Sequence, residues 1–121
     1  MTVVGKKYFG TETCDRVYRR LIQIARKKET ITYGEIAEMM PNIPKRGNYM
    51  SREVGQISGE ISQYEHLQGR PLLSAIVVRG DKKMPGKGFF NMARELSKLQ
   101  EGMDKMSFWE RELKMVYDTW S

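Results

Sequence analysis

Four pieces of residues 31–88 decide the fold: Ile31-Thr32-Tyr33-Gly34-Glu35-Ile36-Ala37, then PNIPKRGN (41–48), then Met50-Ser51-Arg52-Glu53-Val54-Gly55, and finally Leu72–Val78 running into DKKMPGKG (81–88). Thr32 followed three residues later by Glu35 is a capping-box pattern, so a short helix is expected with Ile36, Ala37, Met39 and Met40 as its apolar residues and Pro41 limiting its end. Two prolines and a glycine make 41–48 a loop. Met50, Val54, Ile57, Ile61 and Tyr64 then recur at helical spacing, with Ser51, Arg52, Glu53, Gln56, Ser58 and Glu60 on the other faces, which predicts a longer helix over about 49–65. The apolar run Leu72–Val78 reads as a buried strand. Residues 81–88 read as a basic, glycine-containing loop.

Outward from that stretch, Cys14, Val17, Tyr18, Leu21 and Ala25 share one face of a helix expected over about 13–28. On the other side, Phe89, Phe90, Ala93, Leu96 and Leu99 mark a helix over about 89–99. A second capping box, Ser107 with Glu110, opens a last helix whose stripe of Trp109, Leu113, Val116, Tyr117 and Trp120 is read as core. No repeat, low-complexity stretch or linker divides the 121 residues, so a single domain over 1–121 is expected. Within it, 31–88 is the central unit and 89–121 a C-terminal helical extension. One cysteine makes no internal disulfide, and no Cys/His cluster has zinc-ligand spacing. No stretch approaches the ~20 apolar residues of a membrane span, and Met1–Gly10 lacks a leader-like apolar run. A reducing, cytoplasmic location is the expectation.

Charge points to a polyanionic partner. The net charge is +6, with Arg16, Arg19, Arg20, Arg26, Lys27 and Lys28 in a window that holds no acid, a second cluster at Lys45, Arg46 and Arg52, and a third at Arg79, Lys82, Lys83 and Lys87. Each cluster taken singly is also what a solvated face looks like. The predicted order of short helix, loop, longer helix, strand and basic loop is that of a winged helix-turn-helix, so the fold class expected is α+β, mostly helical, with a short sheet or β-wing and C-terminal helices.

Ile31–Ala37 and Arg52-Glu53-Val54-Gly55 add a resemblance. The segment 31–88 resembles the DNA-binding half of the alkylguanine-DNA alkyltransferases and alkyltransferase-like proteins, the first motif being similar to the family's tyrosine-bearing helix start and the second to the Arg-Ala-Val-Gly of its recognition helix. The resemblance implies that Tyr33 crowds the DNA backbone, that Arg52 enters the base stack as a base is rotated out, and that Gly55 lets the helix approach a neighbouring element. A tyrosine hydroxyl can meet a phosphate, and a planar guanidinium can fill a vacated base position. Tyr33 is equally readable as a half-buried core residue, and Arg52 as an ordinary phosphate contact. The family's reactive cysteine and its following histidine align with Ser74-Ala75, and the asparagine hinge with Ile61. The thiolate and base that alkyl transfer needs are therefore missing. Cys14, on an apolar helix face, is expected to be inert.

The expected function is binding of double-stranded DNA, including modified or distorted DNA, without catalysis, metal or cofactor. The recognition helix (about 49–65) would present Ser51, Arg52 and Gln56 beside Tyr33, with Lys45 and Arg46 before it and a wing loop (79–88) carrying Arg79, Lys82, Lys83 and Lys87. Two alternatives stay open. One is a nuclease or base-modifying enzyme built on Glu53, Glu60, Glu65, Asp81 and His66, although His66 also suits a helix C-terminus. The other is a protein-interaction module, such as an anti-restriction or regulatory partner, using the nine methionines and the aromatic surfaces.

Overall fold

A computed structural model describes residues 6–121, so the first half of the Met1–Gly10 segment lies outside the described residues. The chain runs through α1 (Glu12–Arg26), β1 (Ile31–Thr32), α2 (Tyr33–Ala37), α3 (Gly47–Leu67), a 3₁₀ turn (Leu73–Ile76), β2 (Val77–Val78), α4 (Lys87–Glu95) and α5 (Lys105–Trp120). The fold is α+β and mostly helical. β1 and β2 pair in parallel, Ile31 opposite Val77 and Thr32 opposite Val78.

α1 starts where the Thr11 hydroxyl accepts from Cys14 N at 3.1 Å, and it buries Cys14, Val17, Leu21, Ile24 and Ala25. Burial pushes the Cys14 thiol up to about 11, so thiolate is scarce at neutral pH. The capping box at α2 is present, with Glu35 N donating to Thr32 Oγ1 at 3.2 Å and Thr32 N to Glu35 Oε1 at 2.9 Å. This helix is shorter than its apolar pattern suggested: Met39 N and Met40 N reach back only three residues, to Ile36 O and Ala37 O, and tighten Glu38–Met40 into a turn ahead of Pro41.

α3 extends about two residues past the expected span at each end. Glu53, Ser58 and Glu60, assigned to its outer faces by periodicity, are buried, as is Glu65. The incoming chain explains the first and third of these. Glu60 accepts from the backbone N–H of Lys7, Tyr8 and Phe9 at 2.8, 2.9 and 2.7 Å, while Glu53 accepts from Lys7 Nζ at 2.6 Å and from the Tyr8 hydroxyl. Glu65 is held by the Tyr18 hydroxyl and by Arg70 at 3.0 and 2.8 Å.

The expected strand over Leu72–Val78 is corrected. Only Val77–Val78 is strand; Leu73–Ile76 is a 3₁₀ turn because side chains, not a ladder, satisfy its backbone. Leu72 N donates to Glu112 Oε2 (2.7 Å), Ser74 N to Ser62 Oγ (2.8 Å), and Ala75 O accepts from Trp109 Nε1 (2.8 Å). The turn sits at the centre of the core, packed by α1, α3 and α5.

A β-wing is not what residues 79–88 form. Arg79 N donates to Met84 O and Lys83 N to Arg79 O, both at 2.8 Å, with Lys83 in the left-handed region at φ 57°. A tight turn results. Lys87 and Gly88 belong to α4, whose N-cap is Gly86, and α4 ends at Glu95 rather than near Leu99. Likewise α5 is capped by Asp104, which accepts from Ser107 N at 2.9 Å, so Ser107 lies inside the helix and not at its cap. Phe108, Glu112 and Val116 are its buried residues, while Trp109, Leu113, Tyr117 and Trp120 pack half-buried on the core. Among the described residues no helix is long and apolar enough to cross a membrane.

Candidate nucleic-acid interface

A cleft of about 500 Å³ opens between α3, the 3₁₀ turn with β2, and the first turn of α4. Six of the ten residues expected to meet DNA lie in its walls: Tyr33 from α2, Ser51, Arg52 and Gln56 from α3, Arg79 after β2 and Lys87 at the start of α4. The parallel pairing brings them together, because it sets the start of α2, immediately after Thr32, beside Arg79, immediately after Val78. Arg52, Arg79 and Lys87 bring positive charge, and no acidic side chain is among the described lining residues. Arg52 is 70% exposed, with its guanidinium over the Tyr49 ring at 5.5 Å and its Nε 3.9 Å from Glu53 Oε2, a cation–π contact and a loose ion pair at the cleft's edge.

The other four residues flank the cleft. Lys82 and Lys83 are exposed on the tight turn whose ends, Arg79 and Gly86, both line it. Lys45 and Arg46 are exposed just ahead of α3; a Cβ added at Gly34 would touch Lys45 O at 3.5 Å, so this loop lies against the start of α2.

Tyr33 is half-buried, and burial raises its hydroxyl above the ordinary value against opposing effects of the Gly86 backbone and of Arg79. Position 86 must be glycine for this contact: a Cβ there would lie 2.7 Å from the tyrosine oxygen. Gly55 behaves differently from the expectation. An added Cβ would meet nothing within 4 Å, so no element packs on it. It keeps the cleft wide.

The floor is polar. Ser62 Oγ accepts from Ser74 N and donates to Ser74 Oγ at 2.6 Å, leaving the hydroxyl hydrogen of Ser74 for an acceptor in the cleft. Ser58 is 4% exposed, and its Oγ has no hydrogen-bond partner among the described residues. Ser58, Asn48, Tyr49, Gly88 and Met92 were not singled out from sequence as site residues. No signal in the sequence marked Ser58, which helical spacing places off the apolar stripe.

The carboxylates considered for catalysis do not gather. Glu53 and Glu60 bind the N-terminal segment and Glu65 binds Arg70 and Tyr18, while Asp81 pairs with Arg79 at 3.4 Å on the tight turn. His66 is half-buried in the last turn of α3. Among the described residues no three of His, Cys, Asp and Glu are placed to hold a metal ion. Ile61 is fully buried core. Comparison with protein-family models, curated proteins and solved structures finds no match to this chain.

Proposed function

We propose that the chain binds double-stranded DNA non-covalently through the cleft side of the molecule, in the manner of a winged helix-turn-helix. α3 serves as the recognition helix and the Arg79–Gly86 turn stands in for a wing. Ser51, Arg52 and Gln56 face the groove, Lys45, Arg46, Lys82, Lys83 and Lys87 hold phosphates, and Tyr33 and Arg52 take the positions that the alkyltransferase resemblance implies. Distorted or modified DNA, in which a base leaves the stack readily, is the preferred form. The observation that carries the reading is the meeting of Tyr33, Arg52, Arg79 and Lys87 around one cleft with no acidic side chain among its described lining residues, with the remaining cations beside it.

An anisotropy titration of a fluorescent duplex tests this with two variants. Arg52→Ala is expected to weaken binding by about tenfold, the value of one good groove contact. Arg20→Ala, on α1, which contributes no residue to the cleft, is expected to change it by less than about twofold. Equal effects of the two, or none from Arg52→Ala, would refute the assignment of the face.

A further inference from the structure

The cationic rim accounts for phosphates passing outside the cleft; it leaves the interior unexplained. A space of about 500 Å³ falls within the roughly 300–1,000 Å³ of small-molecule sites. Its three parts differ in chemistry. The first turn of the nine-residue α4 lines one side through Gly86, Lys87 and Gly88. Phe89 N is taken by Gly86 O at 3.2 Å, whereas Lys87 N and Gly88 N have no acceptor among the described residues, and Gly86 supplies no side-chain cap. Exposed first-turn amides at the positive end of a helix form an anion seat. Arg79 and Lys87 stand beside it.

The second part is apolar, with Phe89, Met92 and Val77 buried along the wall. The third is the floor, where Ser58 keeps a hydroxyl that is more than nine-tenths buried and without partner among the described residues, and Ser74 keeps a spare hydrogen. An unpaired buried hydroxyl is costly, and a ligand acceptor would relieve that cost. Anion seat, apolar wall and hydrogen-bonding floor suit the phosphate, the base face and the polar base edge of a nucleotide. The donors at the seat are two amides, a guanidinium and an ammonium; three free phosphate oxygens use them better than the two of a diester.

We propose that the cleft seats a nucleotide bearing a terminal phosphomonoester, with the phosphate on the first turn of α4 between Arg79 and Lys87 and the base against Phe89 and Met92 above Ser58 and Ser74. A phosphorylated strand end and a free nucleoside monophosphate share this chemistry. The seat shares Arg79 and Lys87 with the surface assigned to the duplex, and it is the phosphate preference, not duplex affinity itself, that tests it, so the two readings fail separately.

Calorimetric titration of the full chain with deoxyadenosine 5′-monophosphate, deoxyadenosine and inorganic phosphate forms one arm. Anisotropy titration with duplexes ending in 5′-phosphate or 5′-hydroxyl forms the other. The phosphate-bearing ligand of at least one pair should bind about tenfold tighter or more than its phosphate-free partner: preference in the first arm identifies a free nucleotide, in the second a strand end. Gly88→Asp places a carboxylate on the seat, where an acid suits the helix start and an added Cβ meets nothing. Folding should hold while the preference disappears, and Ser58→Ala should weaken the same ligand by a few-fold. Absence of a phosphate preference in both arms, or a preference that survives Gly88→Asp, overturns the proposal, and undiminished binding of the 5′-hydroxyl duplex would then show that the duplex reading still stands.

Discussion

Gly55 shows most plainly how single residues divide between stability and binding. A glycine in the interior of a helix costs about 1 kcal/mol relative to alanine, and here no neighbour requires it, since an added Cβ meets only open space. Gly55→Ala is therefore expected to raise stability by about 0.5–1 kcal/mol in a denaturant melt while weakening whatever ligand enters the cleft. Glu53 gives a pH test. The Lys7 and Tyr8 hydrogen bonds hold its carboxyl below the ordinary 4.5, so its contribution to folding is complete above that value and disappears as pH falls through the depressed one. In melts from about pH 6 down to about pH 3, the gap between wild type and Glu53→Gln should be widest at the neutral end and close in acid. A gap independent of pH would show that the carboxylate charge plays no part.

Among the elements, α2 depends most on its cap. It has five residues, too few to persist on local propensity, and the reciprocal bonds of Thr32 and Glu35 fix its start. Thr32→Ala should cost about 1 kcal/mol in equilibrium unfolding. The variant should also weaken DNA binding, because Thr32 pairs with Val78 and aligns Tyr33 with Arg79. This helix was legible because both halves of its cap lie within four residues of sequence. The 3₁₀ turn was not. Its backbone partners, Ser62, Trp109 and Glu112, are 12, 34 and 40 residues away, and a run of Leu, Ile and Val looks like a strand until those partners are in place. The same limit applied to α3: periodicity gave its apolar stripe, but Glu53 and Glu60 are buried by a segment more than forty residues earlier. The cationic half of the candidate site could be read from clustering alone. Its hydroxyl floor could not, since Ser58 and Ser74 come from separate elements that only the folded core brings together.

At the scale of the molecule, the account rests on which side carries the working charge. The cations of α1 and the turn after it, from Arg16 to Lys28, are as dense in sequence as those near the cleft, yet none of them is among its described lining residues. Lys45, Arg46, Lys82, Lys83 and Lys87 are exposed in or beside the cleft; if each neutralises one phosphate, the logarithm of the binding constant falls with the logarithm of salt at a slope of about −4 to −5. The decisive measurement is that slope for a duplex, in wild type and in the double variant Lys82→Ala with Lys83→Ala. The account predicts a wild-type slope of about −4 to −5 that becomes shallower by about 2 when the two lysines are removed. A salt-independent affinity, or a slope that the double variant leaves unchanged, would contradict it.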